Sequence, residues 1–207
     1  MKWLGIFLAV VLAGSAFGAT LVLQPGSEGK DAMVSARTPT NNYGTYVYLM
    51  VNYGASYEAR ALIQFDLSSI SGATINSAKL DLWIALPNST NYNFGVYRVT
   101  ASWVESSVTW TAQPAHNATA YDAIRISGAV GGPYTWDVKN LVQEWASGTY
   151  TNNGLMVKRV DMNSPTNWPY FTSSDHSVAT TRPKLTVDYT LSGIAPTSMG
   201  KVKALFQ

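Results

Sequence analysis

The 207-residue chain contains no cysteine and only two histidines, His116 and His176. Thiol chemistry and disulfide stapling are thereby excluded, and zinc finds neither thiolates nor a histidine pair at ligand spacing. Charge is scarce too. Lys, Arg, Asp and Glu make up 13% of the residues and the net charge is +2. The basic residues are scattered, so the electrostatic footprint of a nucleic-acid-binding protein is missing. No internal repeat is visible, and no apolar run approaches the roughly 20 residues that span a bilayer. Stability has to come from apolar burial, hydrogen bonds or a bound ion.

One apolar run stands out, at the start. Met1-Lys2-Trp3 precedes Leu4 to Leu12 and the small-residue exit Ala13-Gly14-Ser15-Ala16-Phe17-Gly18. A single basic residue, a core too short to span a bilayer and a small-residue exit predict a secretory leader over residues 1–18. Cleavage is expected after Gly18, with Ala16 three residues back, leaving a secreted or cell-surface protein without a membrane span.

Aromatic residues are abundant, with 12 Tyr and 7 Trp. Alternation of apolar and polar residues predicts strands with one face buried. Ala61–Leu67 places Ile63, Phe65 and Leu67 on one face. Lys79–Leu86 places Leu80, Leu82, Ile84 and Leu86 on one face and Lys79, Asp81 and Trp83 on the other. Further strands are predicted over 20–24, 46–51, 95–100, 155–160 and 184–190. Turn-rich stretches such as Asn41-Asn42-Tyr43-Gly44 and Gly131-Gly132-Pro133 separate them. One segment has helical spacing, with Val138, Leu141, Val142 and Trp145 on one face, Asp137 as N-cap and Gly148 as the stop. The expectation is an all-β antiparallel sandwich with one short helix packed by Trp145 over one end, filling residues 19–190. Residues 191–207 read as a linker and a short basic-apolar tail.

The run Val96-Tyr97-Arg98-Val99-Thr100-Ala101-Ser102-Trp103-Val104-Glu105-Ser106-Ser107-Val108-Thr109-Trp110 resembles the signature of DNRLRE domains, also classed as carbohydrate-binding module family 96 and related to disaggregatases. Asn42-Tyr43-Gly44, Arg60 to Leu67 with Phe65 and Asp66, Ala78 to Leu82, Trp136-Asp137-Val138 to Trp145, Asn153-Gly154-Leu155 and Arg182-Pro183-Lys184-Leu185 follow the family pattern in order, over roughly Leu23 to Tyr189. Phe171-Thr172-Ser173-Ser174-Asp175 departs from it, with Asp where the family carries Glu. The resemblance implies a jelly-roll-like sandwich and binding of an acidic polysaccharide such as alginate.

Among candidate site residues, Trp103 and Trp110 are expected to fill the sandwich end, with Glu105 accepting backbone hydrogen bonds from the connecting loop. Arg60 and Asp66 lie about 20 Å apart along a strand and cannot pair with each other. Trp83 and Lys79 belong to the outer face, where a ring stacks on sugar and an ammonium meets a carboxylate. Tyr43, Tyr46, Tyr57, Trp168 and Tyr170 lie in loops, where binding tends to concentrate. Arg98, Lys158 and Arg159 are the carboxylate partners on offer. No motif requires a cofactor. Asp31, Asn41, Asp161 and Asn163 offer oxygen ligands suited to calcium, without an EF-hand spacing. Ser173-Ser174-Asp175-His176 is contiguous and lacks a nucleophile elbow, so it does not read as a catalytic triad. The chain reads as a non-catalytic module binding an extracellular polysaccharide. The alternative is a structural surface or matrix protein that associates with itself or with cell-wall polymer.

Overall fold

The computed structural model describes residues 17–54, 56–86, 90–128, 131–161 and 169–191. The apolar core of the predicted leader, Asn163, Trp168 and the tail lie outside the described residues. Two antiparallel sheets face each other. The first runs β1 (Phe17–Leu23), β11 (Lys184–Leu191), β5 (Thr74–Leu86), β10 (Tyr170–Thr172) and β3 (Tyr48–Met50), with β8 (Pro133–Asp137) also paired to β5. The second runs β2 (Lys30–Ser35), β4 (Ala59–Gln64), β9 (Leu155–Arg159), β6 (Thr90–Arg98) and β7 (Asp122–Gly128).

The long β5 strand is the spine of the first sheet. Its alternation is as the sequence predicts: Leu80, Leu82 and Ile84 are buried while Lys79, Asp81 and Trp83 point away. Between the sheets, Phe171 packs edge-to-face on Phe94 at 6.4 Å and on Trp136 at 6.0 Å. The buried indole N–H of Trp136, on β8, donates to the Phe94 carbonyl of β6 at 2.8 Å, a hydrogen bond across the sandwich. Burial of its ring is thus compatible with its polar atom.

The helix α1 (Lys139–Ala146) buries Leu141, Val142, Trp145 and Ala146. It is held to the start of β5 by Gln143, whose side chain accepts from Ile75 N–H at 2.8 Å and donates to the Ala73 carbonyl at 3.2 Å. Val138 occupies the N-cap position assigned above to Asp137. Asp137 sits one residue earlier and still serves the helix end, its Oδ1 accepting from Lys139 N–H at 3.0 Å. The stop is at Gly148, whose φ of +74° is a left-handed conformation that costs glycine little.

The strand expected over 61–67 ends at Gln64. Asp66 Oδ1 accepts from Ser68 N–H at 2.9 Å and turns the chain into a short 3-10 helix, Ser68–Ile70. Phe65 and Leu67 are buried all the same. The strands β2, β7, β8 and β10 were not among those predicted, being short, interrupted in alternation or, in β2, buried on both faces.

A second core lies on the far side of the second sheet. Ala32, Val34, Leu62, Tyr97, Val99 and Met156 face outward and are covered by Trp103 and Val108, with Trp110 packed beside them. Trp103 and Trp110 therefore cap a sheet face rather than the sandwich end expected for them. They do so because the 99–121 connection folds back over its own sheet. Its attachment explains two family motifs. Asn42 Nδ2 donates to the carbonyls of Glu105 at 2.7 Å and Val108 at 2.8 Å. At Gly44 a Cβ would meet the Glu105 carbonyl oxygen at 2.5 Å, so only glycine permits that approach.

Candidate functional site

On β3 and β10, Leu49 and Phe171 point into the core. By alternation Tyr48, Tyr170 and Thr172 face the other way, onto the outer side of the first sheet. There a row of tyrosines forms. Tyr43 meets Tyr46 edge-on at 5.9 Å, Tyr46 meets Tyr48 at 5.9 Å, and Tyr48 meets Tyr170 at 6.2 Å. His176 leans on Tyr48 at 5.7 Å. The anchor is Tyr43, whose hydroxyl bonds Thr38 Oγ1 at 2.7 Å, and Tyr46 is the most exposed member at 42%. In each T-shaped contact the edge of one ring meets the face of the next, which joins the four rings into one aromatic strip.

Trp83 shares this outer face, half-buried beside a small cleft lined by Pro133, Thr181, Arg182 and Lys184. Charges around it alternate in sign: Lys184 pairs with the half-buried Asp81 at 3.0 Å, and Lys79 with the exposed Asp137 at 3.4 Å. Such pairs are worth little and exchange readily with a ligand carboxylate.

The remaining candidates are dispersed. Tyr57 lies under Arg37, its ring centre 5.7 Å from the guanidinium. Arg98 stacks on Tyr150 at 3.6 Å, near the hydrogen-bonded Tyr121 and Glu144. Lys158 lies on the outer side of the second sheet, over Tyr97 at 4.5 Å, its Nζ 3.3 Å from His116 Nε2. Arg159 is buried against Tyr92, at 3.3 Å. Arg60, expected to pair with another strand or loop, pairs with Glu58 at 2.7 Å, bonds Gln113 at 3.1 Å and lies over Trp110 at 4.8 Å. Asp66 bonds the amide and hydroxyl of Ser68 and makes no ion pair among the described residues.

The oxygen ligands suggested for calcium are not gathered together. Asp31 is buried, its Oδ2 accepting from Ser174 N–H at 2.8 Å. Asp161 binds the backbone and side chain of Asn93 at 2.6 and 3.0 Å, a strand length of about 20 Å away along β9. Asn41 is exposed. Among the described residues no group of three or more His, Cys, Asp or Glu is placed to hold a metal ion.

Glu105 accepts a hydrogen bond from Asp31 N–H at 2.8 Å, so the donor it serves belongs to β2 rather than to its own loop. The Ser173–His176 segment is also spoken for. The Ser174 amide holds Asp31, Ser173 Oγ accepts from Asp175 N–H at 3.2 Å, and His176 Nδ1 lies 3.2 Å from both Val178 N and Thr181 Oγ1. Neither serine hydroxyl bonds the imidazole.

His176 was missed as a member of the outer-face row, because its place depends on a loop path that local pattern does not encode.

Residues 25–189 match the profile of carbohydrate-binding module family 96. The chain belongs to that family. As a member of family 96 it is a carbohydrate-binding module, a non-catalytic class of domain. The match spans the second sheet, the first sheet apart from its edge strand β1, the helix and the 99–121 cover. No curated protein matches the chain.

Proposed function

We propose that this family 96 module acts outside the cell, holding an acidic polysaccharide on the outer face of the first sheet. The tyrosine row carries the reading. Tyr46, Tyr48 and Tyr170 supply stacking surface and hydroxyls for successive sugar rings, and Trp83 extends the aromatic face toward β8. Lys79, Lys184 and Arg182 supply cations for uronate carboxylates, the first two by giving up the exposed pair with Asp137 and the half-buried pair with Asp81. The leader-like start supports an extracellular setting.

Affinity electrophoresis of the module through gels containing alginate tests this. Tyr46→Ala combined with Tyr170→Ala should weaken retention at least about tenfold, equivalent to about 1.4 kcal/mol lost over the two ring contacts. Retention unchanged in the folded double variant would refute the tyrosine row as the site, and absence of retention of the parent module would refute the acidic polysaccharide.

A further inference from the structure

A sizeable cavity lies away from the tyrosine row. It has a volume of about 840 Å³ and opens between the edge strand β1 and the turn that follows β4. That size is within the range of about 300–1,000 Å³ typical of small-molecule sites. Its walls are of two kinds. Leu23, Phe65, Leu67 and the ring of Trp145 form an apolar lining. Trp145 is 8% exposed, and its indole N–H has no acceptor among the described residues.

The polar lining consists of groups with hydrogen-bonding capacity to spare. Asp66 accepts from the Ser68 amide through Oδ1 and also from the Ser68 hydroxyl, and as a carboxylate it retains further lone pairs. Glu28 uses Oε1 on the Gly26 amide at 2.8 Å. Gln24 donates through Nε2 to the Arg182 carbonyl at 2.9 Å and keeps its carbonyl oxygen. Hydrogen bonds from backbone amides hold both Asp66 and Glu28 below the usual carboxylate range, so both are anionic at neutral pH. The hydroxyls of Ser68 and Ser71 complete the rim.

The lining cation, Lys30, is committed elsewhere. Its Nζ donates to Gln64 Oε1 at 2.7 Å and lies 4.4 Å from the Trp103 ring centre. The cavity thus offers open acceptors, an apolar wall and a negative balance. A uronate or sulfated chain is repelled there. A molecule rich in hydroxyl donors with apolar C–H faces is matched.

From this we infer a second binding site, in the cavity between β1 and the β4–β5 turn, that takes a neutral saccharide. It goes beyond the acidic-glycan reading of the tyrosine row and stands independently of it.

The test uses the whole chain and neutral hexasaccharides of β-1,4-linked glucose, xylose and mannose, followed by amide chemical-shift mapping, with an alginate hexasaccharide in parallel. At least one neutral probe should shift the amides of Leu23–Lys30 and Gln64–Ser71. Ser71→Trp, at an exposed rim position, should fill the opening and weaken that binding at least tenfold. It should leave the alginate response unchanged. The Tyr46→Ala, Tyr170→Ala variant should do the reverse. The inference is overturned if no neutral probe shifts cavity amides, if the alginate hexasaccharide shifts them more strongly, or if folded Ser71→Trp binds the neutral probe as the parent does. Loss of alginate binding alone bears only on the tyrosine row.

Discussion

Asp31 is 2% exposed, and burial pushes its carboxyl up to about 7, with Glu105 and Asp175 adding like-charge repulsion. The Ser174 amide opposes the shift without cancelling it. A carboxyl with a raised folded-state pKa binds its proton more tightly folded than unfolded. Stability is therefore present at low pH and is lost as pH rises from the unfolded value of 3.8 toward about 7. Glu105 is raised by burial too and acts in the same direction. Thermal unfolding at pH 5 and pH 8 should show the domain less stable at pH 8, by on the order of 2 kcal/mol from this group. Asp31→Asn, which keeps an acceptor for Ser174, should remove most of that difference. An unchanged pH slope in the variant would rule out Asp31 as its source. His116 works oppositely: burial, with help from Lys158, lowers its pKa, so its contribution is lost as pH falls below the ordinary histidine range. The two groups are separable because their windows carry opposite signs.

Among elements, the 99–121 connection is an irregular chain laid over its own sheet and tied there by side-chain clamps. Asn42 clamps it through two carbonyls, Gly44 admits its backbone, and Trp103 Nε1 donates to the Asn153 carbonyl at 2.9 Å. Asn42→Ala leaves two carbonyls without their donor, at a cost of about 1–3 kcal/mol. Hydrogen exchange over residues 103–110 should accelerate while exchange in β5 stays slow; uniform acceleration would show that the clamp supports the whole fold instead. The helix is a smaller case. Gly148→Ala places a Cβ at φ +74° and should lower stability by about 1 kcal/mol, read from denaturant midpoints. This much of the element level was legible beforehand: β5 alternates cleanly because its outer face is solvated, and α1 shows helical spacing because it rests on one side. Strand β4 was only partly legible. Ala61, Leu62 and Ile63 are all buried, since its outward face is covered as well. No period-2 pattern survives burial on both faces.

At the scale of the whole molecule, the two proposed sites differ in charge, and salt distinguishes them. Retention on alginate should weaken several-fold between low and roughly physiological ionic strength, because exposed Lys79 and Lys184 are screened. Binding of a neutral hexasaccharide should barely change. Equal salt sensitivity of both would contradict the separation. The order of motifs along the chain was enough to establish an all-β sandwich with one helix and membership of family 96, because alternation, turn residues and helical spacing are local consequences of which face is buried. Those same patterns placed Trp83 and Lys79 on an outward face. They did not say which aromatics meet. Tyr43, Tyr46, Tyr48 and Tyr170 join only because β10 pairs with β3 across 120 residues of chain, and Arg98, Lys158 and Arg159 part company because strand parity and loop cover send them to different surfaces. Periodicity records burial, whereas sites are made by strand order and register, which long-range pairing alone decides.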